Sequence, residues 1–194
     1  MRQKKGWLIG LIAGLFLAVW FISQQEGVQA QVGIWRCEMN AADHYHKNVA
    51  HLKNAPTYAE AMSSARWQCR AHTWSHFALR GEPTAQRLRF AREAIAAYDA
   101  LIGRLGQDPY RLSRAELLAY MGEETAALAD YDYLVAQSDH YWAREQRAML
   151  QAQMGDVAGA RADFEYLLAH TNREPINHSA AYIARVKGKL EALD

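Results

Sequence analysis

Two cysteines, four prolines and a near-balance of charge say first what this 194-residue chain is not. Two cysteines are too few for a disulfide-stapled mini-protein or a four-cysteine zinc site. Four prolines and 12 glycines exclude collagen-like and low-complexity classes. With 22 basic and 21 acidic residues and a net charge of +1, the chain lacks the basic surplus of a nucleic-acid binder. Val, Ile and Thr are sparse beyond residue 30, no Asn-Gly hairpin turn occurs, and no stretch alternates with period two, so β structure is not expected. A nucleophile elbow, a Walker loop, a His-Glu-x-x-His pair, a dinucleotide fingerprint and a Cys-x-x-Cys-His haem site are all missing. The expectation is therefore a non-enzyme without a cofactor. The length suits one domain or a short array of repeats.

What is present begins with a hydrophobic run. Arg2, Lys4 and Lys5 precede an uncharged stretch from Gly6 to Gln25, apolar from Trp7 to Ile22. A basic flank followed by such a run directs a chain to the membrane with its N-terminus cytoplasmic. Two outcomes stay open. In one the segment is a single anchor in a bacterial-type inner membrane, its roughly 17 residues spanning about 25 Å, with the bulk of the chain periplasmic. In the other it is a signal peptide cleaved after Ala30, behind the small residues of Val28-Gln29-Ala30, leaving a secreted or periplasmic protein. Gly6, Gly10, Gly14 and Ala18 recur every four residues and would let a second transmembrane helix approach closely. The chain then divides into an anchor or signal segment (1–30), a cap segment (31–57) and a helical domain (58–194).

The exported part is rich in Ala, Leu, Arg, Glu and Gln, the strong helix formers. Breakers at Asn54-Ala55-Pro56, Gly81-Glu82-Pro83, Gly106-Gln107-Asp108-Pro109, Ser138-Asp139 and Thr171 to Pro175 leave room for helices between them. A repeat of period 33 sets the architecture. Arg114 to Gly122 aligns with Arg147 to Gly155. The same shift carries Ala127 onto Ala160, Ala129 onto Ala162, Asp130 onto Asp163, Tyr131 onto Phe164 and Leu134 onto Leu167. One step back finds Ala94, Ala96, Tyr98 and Leu101, and one step forward finds Ala181 in a closing helix from about Asn177 to Leu193. Ala115 and Ala148 are small where a helix meets its pair, and Gly122 and Gly155 end the first helix of each unit. Such a unit buries its apolar face by stacking on its neighbours.

These small, turn and aromatic positions resemble the tetratricopeptide repeat family over roughly residues 75–193, most closely over 108–168. The chain departs from that pattern at Arg111, Arg114, Arg144 and Arg147, which stand where the family has Trp and Leu or Gly. In the first unit the second helix is expected over Thr84 to Leu105 and the first over about Tyr58 to Leu79. The resemblance implies an all-α solenoid of helix pairs whose first helices line a concave groove for other proteins. Carried onto this chain, it puts Glu116, Tyr120, Trp142, Glu145, Met149, Gln153, His178, Tyr182 and Arg185 on the groove side.

Cys37 and Cys69 read as one disulfide joining the N-terminal segment to the helix at 58–79, closing a loop worth about 3–4 kcal/mol. Two free thiols and metal ligation are the alternatives. Five of the eight histidines lie between residues 44 and 76, and His72 and His76 stand one turn apart with Cys69 a turn earlier. That spacing defines an alternative function as a metal-handling protein. Acidic pairs such as Glu123-Glu124 and Asp130/Asp132 read as a solvated face. Trp67, Trp74, Tyr141 and Trp142 read as packing. The function expected is a membrane-anchored extracytoplasmic scaffold, an accessory or assembly subunit that binds other protein subunits.

Overall fold

The computed structural model describes residues 25–44, 47, 58–105, 108–171 and 180–194. Among them are eight α-helices and no strand. In chain order they are α1 (Glu26–His44), α2 (Tyr58–Ala78), α3 (Ala85–Leu105), α4 (Asp108–Tyr120), α5 (Glu124–Ser138), α6 (Tyr141–Gln153), α7 (Val157–Ala169) and α8 (Ala180–Glu191). Each helix packs on the next one in the chain, and α2 also touches α4. This nearest-neighbour order is that of a stack of helix pairs rather than of a closed bundle.

The expected bounds of α2 and α3 hold to within a residue. Thr84 stops the turn before α3 by accepting the Arg87 N–H on its hydroxyl, as an N-cap does. Asp156 caps α7 in the same way through the Gly159 N–H. The two central units end their first helices identically. Gly122 and Gly155 take φ of +78° and +85°. The Gly122 N–H reaches the Ala119 carbonyl and the Glu123 N–H the Leu118 carbonyl. Gly155 and Asp156 do the same to Ala152 and Gln151. This crossed pair of bonds satisfies the last carbonyls of the helix and needs a left-handed residue at its centre.

The core repeats with the same period. Ala94, Tyr98 and Leu101 on α3, Ala127, Tyr131 and Leu134 on α5, and Ala160, Phe164 and Leu167 on α7 are all buried. On the first helices Ala115 and Ala148 have no exposed surface. An alanine one turn before a large ring lets the helices approach at one level and fills the gap at the next. Ala96, Ala129 and Ala162 share one environment too: all three face solvent, because each lies off the stripe of its buried neighbours. The closing helix departs from the pattern. Ala181 is exposed where Ala115 and Ala148 are buried, and α8 seats Val186 in the core instead.

The N-terminal organisation also differs from expectation. The boundary placed between residues 30 and 31 falls inside α1. Ala30 and Ile34 are buried in one cluster with Trp74 and Phe77 of α2 and Phe90 of α3. A division at 30/31 thus falls mid-helix, with Ala30 in the second turn of α1 already in the core. Cys37 and Cys69 stand at bonding distance, S–S 2.10 Å, and join α1 to α2. Gly6, Gly10, Gly14 and Ala18 lie outside the described residues. Among the described residues no helix is long and apolar enough to cross a membrane.

Candidate functional site

Side chains link the alternate helices α2, α4, α6 and α8 into one row. Gln68 of α2 donates to the Tyr110 hydroxyl of α4 at 2.7 Å. Trp142 of α6 donates its indole N–H to Glu116 of α4 at 3.2 Å. Arg185 and Lys189 of α8 both reach Glu145 of α6, at 2.5 and 2.9 Å. His72, Ser75, His76 and Leu79 at the end of α2, Tyr98 of α3, and Ser113 and Glu116 of α4 border an open cavity of about 490 Å³.

Of the residues expected on the groove side, Glu116, Tyr120, Trp142 and Tyr182 are half-buried, and Gln153 and Arg185 are exposed. Glu116 and Trp142 are brought together. Tyr120 instead turns its hydroxyl to the Gly81 carbonyl at 3.1 Å, tying α4 to the α2–α3 turn. Glu145 corrects the expectation: it has no exposed surface, since two cations of α8 cover it. A carboxylate so enclosed holds the closing helix and offers nothing to a partner. Met149 is half-buried, with the Lys189 ammonium 2.8 Å from its sulfur. His178 lies outside the described residues. Burial, with Glu145 nearby, pushes the Tyr182 hydroxyl up to about 12.

The metal alternative loses its third ligand. Cys69 is committed to Cys37, and a disulfide sulfur is not the thiolate that metals bind. His72 and His76 are exposed on α2. Among the described residues no group of three or more His, Cys, Asp or Glu is gathered for a metal ion.

Sequence reasoning missed a charged ladder on the opposite side of the first helices. Arg114 donates from Nε and Nη2 to both oxygens of Asp130 at 2.7 and 2.6 Å, and from Nη1 to Asp99 at 2.6 Å. Thirty-three residues on, Arg147 does the same to Asp163 at 2.7 Å twice and to Asp132 at 2.8 Å. Arg111 and Arg144 add a second cation to each aspartate, at 3.6 and 3.0 Å. They also lie over the rings of Tyr133 and Tyr166 at 4.0 and 3.8 Å. Asp130 and Asp163 are 4% exposed, so Asp130 is not on a solvated face. The hydrogen bond to Asp130 raises the Arg114 pKa further above its ordinary value, and that to Asp163 does so for Arg147, each against the opposing effect of burial. The four arginines that depart from the family pattern thus build one repeated device. The signal was present in the recurrence of Arg114/Arg147, Asp99/Asp132 and Asp130/Asp163 at one shift.

No protein-family model matches the chain, and neither a curated protein nor a solved structure is significantly similar to it.

Proposed function

We propose that this chain is a non-catalytic, membrane-anchored extracytoplasmic scaffold. In this reading it is a divergent tetratricopeptide protein that serves as an accessory or assembly subunit of a membrane protein complex. The row of α2, α4, α6 and α8 holds a segment of another protein. The observation that carries the reading is the repetition of the same turn, the same buried Ala–aromatic–Leu set and the same arginine device at a shift of 33. A stack with one face built from alternate helices presents a long surface to a polypeptide rather than an enclosed pocket for a small molecule.

Two observations favour export and retention of the anchor. The Cys37–Cys69 pair suits an oxidising compartment. Cleavage after Ala30 would cut within α1 and remove a residue that is wholly buried between helices. Retaining residues 1–30 keeps that turn and leaves the apolar run of Trp7 to Ile22 as the membrane anchor.

Photo-crosslinking tests the groove. A benzoylphenylalanine placed at His72 or Gln153, both exposed on the first-helix row, should capture a discrete protein in the native membrane. One placed at Glu165, exposed on α7, should not. Equal capture from all three positions, or from none, overturns the groove assignment. Intact-mass measurement of the captured chain shows whether Met1–Ala30 is retained.

A further inference from the structure

A cavity of about 610 Å³ opens where α1, α2 and α3 meet, at the N-terminal end of the stack. Its apolar surface comes from Ile34, Trp74 and Phe90, all buried, with the Trp74 and Phe90 rings stacked 5.1 Å apart. Its polar lining includes Arg70 and Arg89, with Gln31 and Gln86, against a single acid, Glu93. Arg70 and Arg89 are exposed, and neither makes an ion pair among the described residues. This sets them apart from Arg111, Arg114, Arg144, Arg147 and Arg185, each of which is held by a carboxylate. Arg70 does lie over the Trp67 ring at 5.5 Å, which leaves its N–H groups free of a carboxylate. Two guanidiniums without a carboxylate beside an aromatic floor suit a ligand with an anionic head and an apolar body.

The position of the cavity names the source of that ligand. Gly27 lines it, and the apolar run ends at Ile22. Five residues fully extended reach at most about 18 Å. An anchored chain therefore keeps the cavity close to the headgroup layer. The neighbouring face of α1 carries Val32, Trp35 and Met39, exposed at 47, 64 and 55%. They fall on one helical stripe next to Gln31, and a Trp with aliphatic neighbours is what an interfacial surface carries.

We propose that the Arg70/Arg89 cavity binds the headgroup of an anionic phospholipid of the bilayer that holds the anchor, with the Val32–Trp35–Met39 stripe against the lipid surface. The proposal rests on the membrane-anchored reading above. Binding seats the N-terminal end of the stack on the membrane and leaves the first-helix row turned toward its protein partner. The guanidiniums hold the phosphate oxygens, and Trp74 and Phe90 contact the glycerol and upper acyl carbons.

The test uses the full chain, Met1–Asp194, in nanodiscs of phosphatidylcholine containing phosphatidylglycerol as a minority lipid. Lipids that stay bound after mild-detergent extraction are read by native mass spectrometry. Phosphatidylglycerol should be enriched roughly ten-fold over its share of the disc. In R70Q/R89Q the bound share should fall to that of the disc, with helical content and melting temperature unchanged. Equal enrichment in the variant overturns the site. Complete displacement by soluble glycerol phosphate overturns the bilayer as its source. Insertion into the disc without enrichment overturns this proposal and leaves the anchor standing, whereas failure to insert removes both.

Discussion

Arg147 reaches back to Asp132, 2.8 Å away on α5, with the same guanidinium that grips Asp163 on α7. One side chain of α6 thereby ties its own unit to the preceding one. Arg114 does the same between α5 and α3. The two aspartates that Arg147 holds differ in burial, and that difference sets their worth. Asp163 is enclosed, while the Asp132 side chain is 61% exposed. Asp163→Ala should cost about 1.5–3 kcal/mol, because two half-buried arginines lose their enclosed carboxylate and keep only the more exposed Asp132 and Asp139. Asp132→Ala should cost about 0–1 kcal/mol. Urea denaturation of the two variants checks the order. A loss at Asp132 equal to that at Asp163 would mean that coupling between units carries the stability.

Gly122 and Gly155 report on backbone alone. A Cβ added at either would meet no atom within 4 Å. The cost of Gly→Ala there is therefore the left-handed conformation, about 1 kcal/mol at each site. Asn should cost less, since it tolerates that region. The two sites are 33 residues apart in equivalent turns, so the double variant should lose the sum. Thermal melting measured in one buffer decides this.

The Cys37–Cys69 bond closes a loop of 32 residues and pins α1 to α2. Replacing both cysteines with serine should lower stability by about 3–4 kcal/mol. For a chain of this size that is a fall of roughly 6–16 °C in melting temperature. Hydrogen exchange should rise first in α1, whose partners are α2 and the start of α3. If α1 stays as protected as α2, the bond is dispensable to its docking.

Glu145 and Tyr182 govern the closing helix together. Tyr182 titrates near 12 in the fold and near 10 when unfolded. The folded state therefore holds its proton more tightly. The stabilisation is fully present below pH 10 and is lost as the pH rises from 10 toward 12. Tyr182→Phe should flatten that part of the stability curve relative to wild type. Glu145→Gln should release α8 at neutral pH, because Arg185 and Lys189 lose their shared carboxylate. Exchange mass spectrometry of residues 180–194 reads the release.

Much of the fold was legible before any coordinate. Helix bounds at Tyr58 and Leu105, the turns at Gly122 and Gly155, and the Ala–aromatic–Leu sets follow from local rules: capping, positive φ, and side-chain spacing along a helix. The candidate site was less legible. Glu145 has the same sequence signature as any surface glutamate, and its burial depends on where α8 returns. That return is not local, and Ala181 is exposed where Ala115 and Ala148 are buried. Asp130 and Asp132 stand two residues apart and share a residue type. Only their position across a helix separates a buried anchor from an exposed one.

The sequence by itself determined the helical class and the period of 33, and it made a Cys37–Cys69 bond the natural expectation, which the structure then met. Each of these depends on residues near one another along the chain, or on there being only two candidates for one bond. Tertiary structure alone decided three other things. It made Arg114 and Arg147 the ties between units, and it turned Glu145 from a groove residue into a buried tether. It also placed two arginines without a carboxylate partner beside an aromatic floor near the start of α1. The physical reason is common to all three: a charge's role is set by what surrounds it in space, and its neighbours here come from helices 15 to 44 residues away.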